Sequence, residues 1–200
     1  MSSFEHTLPP LIILDRDGVL NEMYVDANHG LVDSPLHTSH VKVIEGVAQV
    51  LKEMTDAGIL LYVATNQPAA KKGKTTFENL NAVHALVLEQ AQSLGGKILG
   101  SEICFDRTED KSEFRKPEPG MLLKILAENP GITPADVWMV GDGVTDVEAG
   151  VRAGVKTAFL GPKKDDARKI FDDKLGRNPD FWGKDLKAFW QHLVSTTVGR

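Results

Sequence analysis

Four acidic side chains fall in two short segments, Asp15-Arg16-Asp17-Gly18 and Gly141-Asp142-Gly143-Val144-Thr145-Asp146, each set against the end of an apolar run. Asp15 and Asp17 are separated by one residue, so on extended backbone their carboxylates point to the same side and can face one cation. Carboxylates held that close repel unless a proton or a metal intervenes. Asp-Gly is also a common turn former. Either segment by itself reads as a strand running into a turn, with Asp142 a turn acid and Asp146 a helix-start acid. Taken together the acids imply more, because several of them at strand ends concentrate negative charge that has to be offset. Cys104 is the only cysteine, so no Cys-x-x-Cys pair exists to hold zinc. The oxygen-rich set fits magnesium, with manganese left open.

The elements that must carry these acids follow from periodicity. Residues 11–15 are an apolar run ending in a carboxylate, the pattern of a buried parallel strand that delivers an acid at its carboxyl end. Residues 59–65 form a second such run, ending in Thr65 and followed by Asn66 and Gln67. Further strands are predicted at 102–105, 137–140 and 156–160, with Asp142 just past the fourth. Helices are predicted between them. Residues 46–57 place Val47, Val50, Leu51 and Met54 on one face before the stop at Gly58, and residues 76–94, 120–128 and the stretch after Asp142 through Glu148 follow suit. Strands alternating with helices imply an α/β fold with a mostly parallel sheet covered on both faces. Ligands bind such sheets beyond the carboxyl ends of the strands, where Asp15, Asp17, Thr65 and Asp142 should meet.

Two regions carry no such pattern. Residues 21–40 read as a long loop or small flap, and the spacing of His29, His37 and His40 within it favours loop packing over a metal triad. Residues 165–200 read as a helical extension, in which Leu186, Phe189, Trp190 and Leu193 share a helix face as packing residues.

A chain of 200 residues, 42% hydrophobic, is sized for one domain spanning 1–200. With 23 basic and 28 acidic side chains the formal charge is −5, which offers no general attraction to nucleic acid or to an anionic membrane. No apolar run approaches the ~20 residues of a membrane span, and Met1 to Pro10 lacks the pattern of a secretory signal. The expectation is a cytoplasmic protein with a small-molecule partner. Nothing in the sequence fixes the oligomeric state, and a monomer is the working expectation.

Four segments in order, DRDGVLN (15–21), ATNQ (64–67), RKPEPGM (115–121) and GDGVTD (141–146), resemble the motifs of the haloacid dehalogenase-like phosphatase superfamily. The details are similar to its subfamily IIIA branch acting on heptose 1,7-bisphosphate and histidinol phosphate. The resemblance implies a three-layer α/β/α Rossmann-like fold with a minimal cap, and magnesium-dependent hydrolysis of a small phosphorylated metabolite. It implies Asp15 as nucleophile and Asp17 as general acid/base. Thr65 and Asn66 would place the phosphate, Lys116 would neutralise its charge, and Arg115 would contact substrate. Asp15, Asp17 and Asp142 would hold magnesium, with Asp146 a supporting acid.

The chain departs from that branch twice. Where many members carry a zinc loop of cysteine and histidine before the Arg-Lys-Pro segment, CFDRTEDKSEFRKP holds only Cys104 and no histidine. Pro68-Ala69 also replaces the Ser-Gly that follows Asn-Gln in the heptose type. A sugar phosphatase is the leading expectation. Histidinol-phosphate hydrolysis, phosphoryl transfer to a sugar, and a phosphate-sensing scaffold without turnover are the alternatives. Lys71, Lys72 and Lys74 read either as a solvated basic loop or as an electrostatic rim to the substrate pocket.

Overall fold

The computed structural model describes residues 8–26, 31–162 and 165–198; the reading of His29 therefore lies outside the described residues. Six parallel strands form the central sheet: β1 (Leu11–Leu14), β4 (Leu60–Asn66), β5 (Ile98–Cys104), β6 (Trp138–Gly141), β7 (Lys156–Leu160) and β8 (Phe181–Gly183). They lie in the order β5-β4-β1-β6-β7-β8. Every residue of β1 is buried, because helices cover both faces and alternation would leave a polar side nothing to meet. On one face Ile12, Leu14, Leu61 and Val63 pack against α1 (Val47–Asp56), α2 (Phe77–Ala91) and α6 (Leu186–Val198). On the other, Leu11, Ile13 and Met139 pack against α3 (Gly120–Glu128) and α4 (Val144–Ala153). Phe171 of α5 (Asp165–Leu175) closes a third cluster with Val147 and Phe159. The result is the expected three-layer α/β/α arrangement.

The strand order reverses at β1, whose two neighbours β4 and β6 leave a crevice beyond their carboxyl ends. Four details differ from the sequence reading. The third strand of the sheet runs over Ile98–Cys104 rather than 102–105, and α4 continues to Ala153. Residues 24–33 contain an antiparallel pair, β2 (Tyr24–Asp26) and β3 (Leu31–Asp33), where a loop or flap was expected. The tail adds the edge strand β8 to the sheet. In α6 the packing expectation is met: Phe189 and Trp190 are buried, and the Trp190 indole donates to Glu53 of α1 at 2.7 Å. No helix among the described residues is long and apolar enough to cross a membrane.

Candidate active site

The C-terminal ends of β1, β4 and β6 bring the motif residues into one cavity of about 170 Å³, lined among others by Asp15, Asp17, Thr65, Asn66, Lys116, Asp142 and Asp146. Asp15 is set by β1 and anchored sideways, its backbone N–H donating to Val140 of β6 at 2.8 Å. The chain then turns tightly, and Gly18 sits in the left-handed region at φ +78°. A Cβ there would lie 2.0 Å from Asp142 Oδ2, so only glycine lets the loop after β1 approach the acid after β6. Gly141 makes the same allowance on the other side, where a Cβ would lie 2.3 Å from Asp146.

Lys116 comes from the loop before α3 and is fully enclosed, with its side chain 1% exposed. Its Nζ donates to the Ala64 carbonyl at 2.7 Å and pairs with Asp15 at 3.0 Å and Asp146 at 2.6 Å. Asn66 brackets the lysine backbone, donating to the Lys116 carbonyl at 2.9 Å and accepting from its N–H at 3.1 Å. Asp146 is buried in the first turn of α4, where its second oxygen accepts from the Gly143 N–H at 2.9 Å. Thr65 is buried, with its hydroxyl accepting from Gln67 Nε2 at 2.9 Å. Arg115 stands apart: its guanidinium donates to the Asp106 carbonyl at 2.9 Å, and it is not among the residues lining the cavity.

Oxygens of Asp15, Asp142 and Asp146 lie within 4.8 Å of one another, an acidic cluster able to hold a cation. The electrostatics point the same way. Burial pushes Asp15 up to about 7, with Asp146 and Asp17 adding to the rise and Lys116 opposing it. Burial and then Asp146 push Asp142 up to about 6. Burial alone would lower Lys116, but Asp146 and Asp15 hold it above the ordinary lysine value. Four acids thus face two buried cations, Lys116 and Arg16, and the raised carboxylates express the shortfall of positive charge. A divalent cation among Asp15, Asp142 and Asp146 fits that shortfall.

Asp17 is held differently from the other acids. Its Oδ1 accepts from Arg16 Nε at 3.2 Å, Arg16 Nη2 at 3.1 Å and Asn21 Nδ2 at 2.8 Å. Its Oδ2 accepts from Arg16 Nη2 at 2.9 Å and Gln67 Nε2 at 2.6 Å. Burial would raise its pKa, but the Arg16 charge and these donors outweigh burial and bring it below the ordinary value. The sequence reading gave Arg16, Asn21 and Gln67 no role of their own, and missed Met23 and Ser34 on the cavity wall. A cationic side chain between two strand-end acids was the available signal for Arg16.

A second recess of about 30 Å³ is lined by Asp33, Ser34, Gln67, Pro68, Ala69, Lys72 and Lys74, and shares Ser34 with the acidic cavity. The three lysines beside it divide by partner. Lys71 pairs with Asp106 and Asp110, Lys74 pairs with Asp33, and Lys72 has no ion pair among the described residues. A larger cavity, of about 510 Å³, lies at the opposite ends of the strands beside Pro10, Trp138 and Lys156. It gathers no comparable cluster of acids, and chemistry favours the smaller cavity.

A family model of haloacid dehalogenase-like hydrolases matches residues 24–154, a span that Asp15 and Asp17 precede. The D-glycero-beta-D-manno-heptose-1,7-bisphosphate 7-phosphatase of Pseudomonas aeruginosa is 32% identical over 175 residues, covering 82% of this chain and 92% of its own. The enzyme of the same name from Neisseria meningitidis serogroup A is 33% identical over 150 residues, covering 75% of this chain and 76% of its own. Among solved structures, the D,D-heptose 1,7-bisphosphate phosphatase of B. bronchiseptica, complexed with magnesium and phosphate, aligns with a TM-score of 0.76 at 28% identity. That alignment covers 93% of this chain and 98% of the other.

Proposed function

We infer the substrate and the residue roles from one premise: the chain belongs to the haloacid dehalogenase-like hydrolase family and is a magnesium-dependent phosphatase. The substrate we propose is a heptose-type sugar bisphosphate, cleaved through a phosphoryl-Asp15 intermediate. The observation that carries the reading is the grouping of Asp15, Lys116, Asp142 and Asp146 around one cavity at the carboxyl ends of the strands. Relatives that act on heptose bisphosphate align over most of their own length, which supports the choice of sugar.

Asp15 attacks phosphorus, and the leaving oxygen departs toward the cavity mouth. Asp15 and Asp142, with Asp146 beside them, would hold magnesium, whose positive charge would lower the repulsion between the nucleophile and the anionic phosphate. Lys116 neutralises a phosphate oxygen, and the Thr65 hydroxyl donates to another. Asn66 acts through Lys116, whose backbone it grips on both sides. Arg16, Asn21 and Gln67 keep Asp17 as the anion, the form that accepts a proton from the water attacking phosphoryl-Asp15. Protonating the leaving oxygen first requires the bound phosphate to raise the Asp17 pKa by its own negative charge. The distal phosphate lies toward the recess beside Lys72, the lysine of the loop without an ion pair among the described residues.

The test is a panel of kcat/KM values for both anomers of heptose 1,7-bisphosphate, sugar monophosphates, histidinol phosphate, a phosphopeptide and an aryl phosphate. The preferred sugar bisphosphate should exceed the aryl phosphate by at least ~100-fold, about 2.7 kcal/mol of transition-state binding from the distal part of the sugar. Equal efficiencies across the panel, or a preference for histidinol phosphate or the phosphopeptide, overturn the sugar assignment and leave the aspartate chemistry standing.

A further inference from the structure

The side chain of Arg16 is entirely excluded from solvent, and it folds back on the residue that follows it. Burying a guanidinium is costly unless its donors are met, and Arg16 meets only part of that demand. Nε and Nη2 bind Asp17, whereas the buried Nη1 has no partner among the described residues. Asn21 and Gln67 show the same compromise. Each turns its NH2 group onto Asp17, and the Oδ1 of Asn21 and Oε1 of Gln67 are buried without a partner. Three side chains thus leave a polar atom unpaired while supplying five donor contacts to one carboxylate. An arrangement serving stability alone would satisfy its own groups first.

We propose that Arg16 is a positioning residue that fixes the orientation of the Asp17 carboxylate at the cavity wall, with Asn21 and Gln67 as its helpers. The proposal rests on Asp17 being the general acid/base of the reaction. A carboxylate free to rotate would turn away from Asp15 and Asp142, which repel it. The bidentate guanidinium sets the plane of the carboxylate, and Asn21 and Gln67 set its tilt.

The test compares leaving groups in single-turnover experiments with magnesium. Release of para-nitrophenolate needs no proton, whereas release of a sugar alkoxide needs Asp17 as the acid. Arg16→Lys keeps a charge but loses the fork. It should slow release from the best sugar phosphate of the panel by at least ~10-fold and release from para-nitrophenyl phosphate by less than ~3-fold, with inhibition by inorganic phosphate unchanged. Gln67→Ala, which removes one donor and keeps the fork, should show the same asymmetry to a smaller degree. It keeps the comparison available should the arginine variant fold poorly. Equal slowing on both substrates in the folded variants overturns the positioning role. Asp17→Asn is the control for the underlying reading: without leaving-group dependence in that variant, it is the acid/base assignment that fails.

Discussion

The floor of the cavity and its rim handle charge in opposite ways. On the floor, Asp15, Asp17, Asp142 and Asp146 face Lys116 and Arg16; Asp17, Asp146 and both cations are buried and Asp15 and Asp142 partly so, which makes uncompensated charge expensive. At the rim, Lys71 is matched by Asp106 and Asp110, and Lys74 by Asp33, in pairs that water screens. The floor therefore stores a demand for a cation and for a phosphate, and the rim stores almost nothing. Chemistry is strongly determined where charge is unbalanced and dry, and substrate choice is adjustable where charge is balanced and wet.

The largest effect should come from the floor. Asp15→Asn replaces the nucleophile with a neutral amide, and phosphatase turnover should fall by at least ~100-fold, read as kcat on the best substrate. Near-normal turnover would erase the distinction between floor and rim. Chelation should likewise abolish turnover and magnesium should restore it, while the fold survives without zinc, as metal analysis and a melting curve of the chelated protein can check.

A subtler effect of the floor is on stability against pH. In the magnesium-free protein Asp15, at about 7, and Asp142, at about 6, lie above the unfolded carboxylate value of 3.8. Across that window the native state binds more protons than the unfolded chain. The stability these groups contribute is thus fully present below about 3.8 and lost as pH rises through about 6 to 7. Asp142→Asn should flatten that fall in melting temperature and remove the stabilisation that magnesium gives at pH 8. A variant that keeps both responses would detach Asp142 from the cation site.

Smaller effects belong to the rim. Lys72→Ala should raise KM for the sugar bisphosphate by about 10-fold and leave kcat on a monophosphate unchanged, since it removes one charge from distal binding only. Lys71→Ala breaks exposed ion pairs and should change kcat/KM by less than ~3-fold. The reverse ranking would show that the Lys71 pairs, rather than Lys72, hold the rim.

The same contrast explains what could be read from the sequence. Buried parallel strands are continuous apolar runs, so Leu11–Leu14 and the acid after it were legible, as were the helix faces of Val47–Asp56 and Leu186–Val198. Three-residue strands have no period to detect, which hid the antiparallel pair Tyr24–Asp26 and Leu31–Asp33 and the edge strand Phe181–Gly183. Partners distant in sequence were equally hidden. Nothing in Lys71-Lys72-Gly73-Lys74 states that Asp106, 35 residues on, takes the first lysine, or that Asp33, 41 residues back, takes the last. Asn66 is expected within the phosphate-binding set and lines the cavity, and its amide also brackets the Lys116 backbone, a partner 50 residues away that no local pattern announces. Asp17 is expected among the metal-holding acids; the side-chain oxygens of Asp15, Asp142 and Asp146 lie together, while those of Asp17 are held at the cavity wall by Arg16, Asn21 and Gln67, partners that no local pattern announces.

The central claim is a covalent phosphoryl group on Asp15, and trapping it is the most direct test. Enzyme mixed with magnesium and excess substrate, quenched in acid within the first turnover and digested, should yield one peptide heavier by a single phosphoryl group. Fragmentation should locate that group on Asp15, and Asp15→Asn should yield no such peptide. A phosphoryl group found on another residue, or a full burst of leaving group from enzyme that carries no adduct, would contradict the account.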